Sequence, residues 1–330
     1  MAKRTGSRLQ RKEAIEGYLC IAPWLIGFVC LTLGAVIFSF IMSLTKWDMI
    51  NPAKFVGGSN YGTILFDDDR FRQSLKITAI YAGCAVPMGL VCSLALAMLL
   101  NMNVKGMQAF RSIFYIPAIL PGAAVAMVWQ MVLRPQPSGI FNAILGKLFH
   151  MTPIPWLTSP DWVLKSFIIM SLWGVGGGMI IYLAGLQSVP TQLYEAAEID
   201  GAGSVQKFRN VTLPMISPTL FFNLIMGIIG SFQVFTSSFI MTQGGPANAS
   251  LFYVLYLYQK AFKYLQMGYA CALAWILFGI ILALTLFVMT SSRRWVYYEA
   301  ELKRLAQWLL RNLSRVRQRR GRGARLLTRR

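Results

Sequence analysis

Six long apolar runs constrain this chain more than any other feature. They lie at 17–45, 73–100, 112–133, 162–186, 219–241 and 264–290. About 20 apolar residues are enough to cross the hydrocarbon layer of a bilayer as a helix, and each run reaches that length. With 56% hydrophobic and 13% charged residues, and a mean hydropathy of +0.53, the chain reads as an all-α polytopic membrane protein with six transmembrane helices.

The connecting segments fix the expected topology. Residues 1–16 carry Lys3, Arg4, Arg8, Arg11 and Lys12. The run at 17–45 is too long for a signal-peptide core and shows no small-residue cleavage site, so it is expected to stay as a first span. Placing the N-terminus inside puts both termini, the 101–111 loop with Lys105 and Arg111, and the 187–217 loop in the cytoplasm. Those segments hold 22 Lys and Arg residues, against 8 in 46–72, 134–161 and 243–263. This asymmetry follows the positive-inside rule. Asn51, Gly139 and Gly245 are expected on the outer face. Pro117 and Pro121 are expected to kink span three, and Gly174, Gly176, Gly177 and Gly178 to allow close contact or unwinding in span four. Short helices lying at the membrane interface are expected at 139–149 and 249–262.

The stretch 193–214 is a polar island between spans four and five. Thr191 is placed to cap a short helix over 192–200, and Gly201 to supply the left-handed residue that stops it. Ser204 is placed to cap a second helix, and Pro214 to end the loop. Small Ala196 and Ala197 beside anionic Glu195 suit a plug for a groove in a second protein.

Several chemistries are disfavoured. The spans hold no interior Asp or Glu, which proton-driven carriers usually need. There is no GxxxxGK[ST] phosphate loop, no Ser/His/Asp set, and no Cys/Asp/Glu cluster around His150, the only histidine. Cys20, Cys30, Cys84, Cys92 and Cys271 all lie in apolar runs and read as buried free thiols. The tail from 293 carries 13 Lys and Arg against two Glu. Trp295, Tyr298, Leu302, Leu309, Leu313 and Val316 recur there at helical spacing, which suggests an amphipathic helix on anionic lipid or a partner rather than a nucleic-acid site. A solvated basic tail is the other reading, and 321–330 is expected to be disordered.

At the polar island the chain resembles a known family. Glu195-Ala196-Ala197, three residues, Gly201, nine residues, then Val211-Thr212-Leu213-Pro214 is similar to the EAA motif of binding-protein-dependent ABC importer permeases. Val211 stands where Ile is usual. The stretch 242–250, TQGGPANAS, resembles the carbohydrate branch, the maltose-type and glycerol-phosphate-type permeases.

The resemblance implies a type I importer permease over roughly 17–292, with a basic N-terminus before it and a basic tail, 293–330, after it. It implies a bacterial inner-membrane location and a loop that couples to a separate cytoplasmic ATPase dimer through Glu195, Ala196, Ala197, Gly201, Leu213 and Pro214. ATP and Mg would bind that partner, with no cofactor or metal on this chain. A second homologous permease, as a heterodimer, and an extracytoplasmic solute-binding protein complete the implied assembly. The implied substrate is a sugar or polyol at mid-membrane, near Ser171, Trp173, Asn223, Ser231 and Gln233, whose hydroxyls, amides and indole suit a neutral ring. The same polar residues can instead bond a neighbouring helix. An ion-coupled carrier and a membrane scaffold are the alternative functions.

Overall fold

The computed structural model describes residues 8–297. The first run forms α1 (Arg8–Gly27), a π-helical turn (Phe28–Leu33) and α2 (Gly34–Ser43). The following loop is not merely polar. It holds an antiparallel ribbon, β1 (Thr45–Lys46) with β2 (Lys54–Phe55), and a short helix, α3 (Ser59–Phe66). Next come α4 (Asp69–Leu100), α5 (Met107–Ile119), α6 (Gly122–Val132), α7 (Ile140–Phe149), α8 (Pro160–Trp173) and α9 (Gly176–Gln187). The polar island forms α10 (Thr191–Ile199), α11 (Ser204–Lys207), a π-helical turn (Phe208–Thr212) and α12 (Leu213–Met215). The chain then forms α13 (Ser217–Phe232), α14 (Thr236–Met241), α15 (Tyr253–Tyr258) and α16 (Met267–Ser292).

Four helical stretches are long and apolar enough to cross a membrane: Arg11–Ser43, Asp69–Leu100, Ser217–Met241 and Met267–Ser292. The count reaches six when the bent pairs α5–α6 and α8–α9 are each taken as one span. The α5–α6 bend is 96°, far more than a kink. Leu120 precedes proline and is extended, at φ −71° and ψ 141°, and Pro121 has no N–H to continue the ladder. Pro117, by contrast, sits inside α5 without ending it.

The α8–α9 pair bends by 44° around Gly174 and Val175. A neighbouring helix supports the break: the Ser93 hydroxyl of α4 donates to the Val175 carbonyl at 3.0 Å. Gly176 then lets α9 meet α5 closely, since a Cβ there would fall 2.1 Å from the Phe114 carbonyl oxygen.

α4 is the spine. At 1.5 Å per residue its 32 residues span about 48 Å. Its first turn is capped by Asp68, whose carboxylate accepts from the Phe71 amide at 3.0 Å. Its last turn is capped by Arg111, whose guanidinium donates twice to the Leu100 carbonyl, at 2.9 and 3.2 Å. Phe71 and Ala82 pack with α15 and α16, Ile77 and Tyr81 with α6 and α8, and Leu94, Ala97 and Leu100 with α9 and the polar island.

Three sequence expectations need correction. The 249–262 segment does not lie at an interface: Phe252, Tyr253, Leu255 and Tyr256 are fully buried. Its buried start is satisfied from inside, the Tyr253 amide donating to the Thr78 hydroxyl at 3.0 Å and the Tyr253 hydroxyl to the Leu273 carbonyl at 2.8 Å. The Tyr256 and Tyr269 hydroxyls both donate to Asp68, tying α15 and α16 to the start of α4. The cysteines are free but not buried: Cys20, Cys30 and Cys84 are exposed, Cys92 and Cys271 half-buried. In a membrane protein an apolar run can face lipid, so apolar surroundings do not imply a protein interior. Trp295 stands in a turn after α16, its ring edge-on to Phe221, rather than in a helix. The rest of the amphipathic tail and 321–330 lie outside the described residues.

Asn142 staples the segment between α6 and α8. Its amide donates to the carbonyls of Arg134, Pro135 and Ile154 at 3.1 Å each and accepts from the Ile154 amide and the Trp156 indole.

Gly176→Ala is expected to lower the thermal unfolding midpoint of the purified protein, by an overpacking cost of about 1–3 kcal/mol. Gly177→Ala is the control. Its Cβ would sit 3.6 Å from the Ala118 Cβ, an ordinary contact, so its midpoint should match the unsubstituted protein.

Candidate functional site

Two groups of residues stand out by their geometry: the polar island and the helix breaks. In the island, α10 begins at Thr191 itself. Pro190 occupies the capping position in extended conformation, and the Thr191 side chain makes no capping bond. Gly201 adopts φ +76°, the left-handed turn its position calls for, with nothing within 4 Å of a would-be Cβ. Its role is therefore conformational, not one of close approach. The second helix is capped at Gly203, not Ser204; the Gln206 carbonyl oxygen accepts from the Gly203 amide at 2.8 Å. Pro214 does not end the loop. The helical path continues through α12, and the break falls at Ile216, where φ is −89° and ψ 3°.

The island is held as one body. The Lys207 ammonium pairs with the Glu198 carboxylate at 2.5 Å across the Gly201 turn. The Tyr194 and Thr212 hydroxyls bond at 3.0 Å, linking α10 to the π-helical turn. Tyr194, Phe208, Val211 and Met215 pack on the core formed by Leu94, Ala97 and Leu100 of α4 and by Tyr182, Leu183 and Leu186 of α9. The island is thus joined to α4 and α9 through packed side chains rather than through a flexible tether.

The outer surface of the island is unpartnered. Glu195 and Ala196 are exposed, Ala197 half-buried. Ile199 is 88% and Val205 79% exposed, on either side of the Gly201 turn. Two large apolar side chains at the tip of an otherwise polar loop are what a docking surface presents. The sequence reading missed both. Their signal in the sequence is apolar identity inside a polar stretch. Leu213 and Pro214 are half-buried and open α12.

The expected substrate-path residues divide. Ser171 donates to its own helix at Ile168, 2.6 Å, Ser231 to Ile228, 2.8 Å, and the Asn223 amide to Thr219, 3.0 Å. Ser231 and Asn223 are also buried. Asn223 sits against α9, its side-chain oxygen 3.4 Å from where a Gly178 Cβ would lie. The two serines have committed their hydroxyl donors to their own helices, and Asn223 one of its two N–H groups. Trp173 and Gln233 differ. Each ends a helix at a break, Trp173 before Gly174 and Gln233 after α13, and each is exposed. Gln233 lines a cavity of about 430 Å³ whose other walls are Val254, Leu257, Ala274, Leu277, Phe278 and Ile281. An amide among apolar walls at membrane depth needs a partner.

The family scan agrees with this geometry. Residues 85–297 match the family described as binding-protein-dependent transport system inner membrane component. The chain belongs to that family. As members of it, such chains are multi-pass inner-membrane permeases, transport components rather than enzymes. The permease is 39% identical over 298 residues to the probable ABC transporter permease protein YesP of Bacillus subtilis (strain 168), covering 89% of this chain and 96% of that one. It is 32% identical to the arabinooligosaccharides transport system permease protein AraP of the same organism, covering 88% and 93%. Its fold is similar to a chain of a bacterial ABC transporter involved in the import of the acidic polysaccharide alginate, with a TM-score of 0.76 and 25% identity, covering 87% of this chain and 99% of that chain. The bent helix pairs belong to the same extent of chain.

Replacing Gly201 tests its role within the permease. Gly201→Val is expected to cost the loop about 1–2 kcal/mol, since a Cβ opposes left-handed backbone. Gly201→Asn should cost less, because Asn tolerates that region. Amide hydrogen exchange across 193–207 should therefore accelerate in the order Gly, Asn, Val. Equal exchange in all three would contradict the assignment.

Proposed function

We propose that this permease is the membrane-spanning subunit of an ATP-driven importer of a sugar or related polyol. A binding protein delivers the solute on the extracytoplasmic side, and alternating access is driven through the 187–217 loop by a separate ATPase dimer. The observation that carries the proposal is the island itself: an exposed, cross-braced helix–turn–helix that packs without slack on α4 and α9. A chain without a phosphate loop needs a rigid contact through which an outside energy source can act, and this is one.

In this reading Glu195, Ala196, Ala197 and Gly201 form the contact, Ile199 and Val205 insert apolar anchors, and Leu213 and Pro214 hold the loop to the membrane helices. The loop end of the molecule is cytoplasmic, as the positive-inside count supports. A second, homologous permease subunit faces the helices that this chain leaves exposed. The carbohydrate substrate is supported by the 242–250 stretch and by the named cargo of the arabinooligosaccharide relative. Trp173 offers a flat face to a sugar ring and Gln233 both donor and acceptor to its hydroxyls, at breaks where discontinuous helices commonly form transporter sites. The secondary-carrier alternative finds no support in the family.

Glu195→Lys should leave the complex inserted and assembled at normal abundance while reducing uptake and coupled ATPase activity ~10-fold or more, because a reversed charge buried at an interface is left without a partner. Ile199→Asp should act in the same direction by burying a charge where an apolar anchor sat. Wild-type uptake in both would remove the loop from the coupling role.

Trp173→Ala and Gln233→Leu address the path. Each is expected to raise the substrate concentration for half-maximal uptake by about 10-fold, the loss of one aromatic face or one hydrogen-bonding group being worth roughly 1–2 kcal/mol. Ser231→Ala, whose hydroxyl is spent on its own helix, should change it little. If only Ser231→Ala shifts the concentration dependence, the path runs elsewhere.

A further inference from the structure

A cavity of about 1020 Å³ opens at the end of α4 opposite the polar island, between the β1–β2 ribbon, α3 and the start of α16. Nothing in the coupling or mid-membrane reading uses it. Its walls include Lys46, Trp47, Lys54, Asp67, Gln266 and Tyr269.

The two lysines are the unusual feature. Lys46 and Lys54 are directly paired across the antiparallel ribbon, so their side chains leave the same face. Like charges at such a position repel and weaken the pairing. Neither forms an ion pair among the described residues. Two of the three carboxylates that line the cavity are engaged elsewhere, and the third, Asp67, forms no ion pair with either lysine among the described residues. Asp48 accepts from the Ile50 and Asn51 amides, at 3.1 and 2.8 Å, and from the Asn51 side chain at 2.7 Å. Asp68 is taken by the Phe71 amide and by the Tyr256 and Tyr269 hydroxyls. Burial pushes the Asp68 carboxyl up, but the two tyrosines, the Phe71 amide and the Lys260 ammonium outweigh it and hold it below the usual carboxylate range. It stays charged and committed, and is no free counter-ion for the ribbon.

The ribbon thus presents two ammonium groups side by side to a cavity, with an indole and a phenol ring, a free carboxylate and an amide around them. A bare anion would use only the lysines. A neutral sugar would use the rings and hydrogen-bonding groups and leave the repulsion standing. We propose that the cavity binds an acidic saccharide, its sugar carboxylate between Lys46 and Lys54, its ring against Trp47 or Tyr269, and its hydroxyls donating to Asp67 and accepting from Gln266. The choice of a saccharide rests on the carbohydrate reading above. The cavity lies at the far end of α4 from the coupling loop, so it would act where solute first meets the permease.

The test is calorimetric titration of the full-length chain in its purified complex, without ATP and at low salt, with digalacturonate, maltose and inorganic phosphate as probes. Digalacturonate should bind saturably, at least 10-fold more tightly than maltose. The Lys46→Gln/Lys54→Gln double variant should weaken it at least 10-fold, and phosphate should not displace it at equal concentration. The ligand-free double variant should melt at or above the parent temperature, because a repulsion has been removed. Absence of saturable digalacturonate binding, unchanged affinity in the double variant, displacement by phosphate at equal concentration, equal affinity for maltose, or a lowered ligand-free midpoint would each overturn the proposal. Because no ATP is present, the outcome is independent of the Glu195→Lys uptake experiment, and the two readings fail separately.

Discussion

At membrane depth a backbone amide or carbonyl has no water to turn to, and each one left unpaired is costly. This requirement explains why almost every residue of the membrane-embedded chain is helical, and why two departures from helix carry a side-chain support. The Val175 carbonyl, at the α8–α9 break, receives the Ser93 hydroxyl. The Tyr253 amide, at the buried start of α15, donates to Thr78. Outside the candidate spans, the Asn142 amide likewise gathers carbonyls from the irregular chain between α6 and α8. Remove these side chains and the breaks would have to close into regular helix or expose polar backbone.

The breaks also decide which polar side chains are spent on their own helix. Trp173 and Gln233 stand at helix ends and are exposed, Trp173 with its ring edge-on to Trp129 of α6. Ser171, Ser231 and Asn223 sit inside helices, and their donors turn back to carbonyls three or four residues earlier. Residues of similar polarity therefore meet different surroundings according to whether the helix continues past them.

α4 joins the two ends of the molecule. One end is capped by Asp68 beside the ribbon cavity, the other packs against the 187–217 loop through Tyr194, Phe208, Val211 and Met215. Lys207 with Glu198 and Tyr194 with Thr212 brace that loop internally.

Much of this was written in the amino-acid sequence. Apolar run lengths determine a helical membrane protein, because the bilayer thickness leaves few options. The offsets from Glu195 to Pro214 determine the family, and Gly201 its left-handed turn, because only a residue without a side chain takes that conformation freely. Tertiary structure decided the rest. Pro121 produces a 96° bend where Pro117 does not end its helix, a difference set by whether the preceding residue is driven extended. The 249–262 segment looks interfacial by its mixed composition, yet is buried because Thr78, Leu273 and Asp68, distant in sequence, supply its polar partners. Caps at Pro190 and Gly203 displace those expected at Thr191 and Ser204 by one residue, since competing local hydrogen bonds differ by little in energy. The lysine pair on the β1–β2 ribbon could not be read at all, because strand register is settled only when the two strands meet.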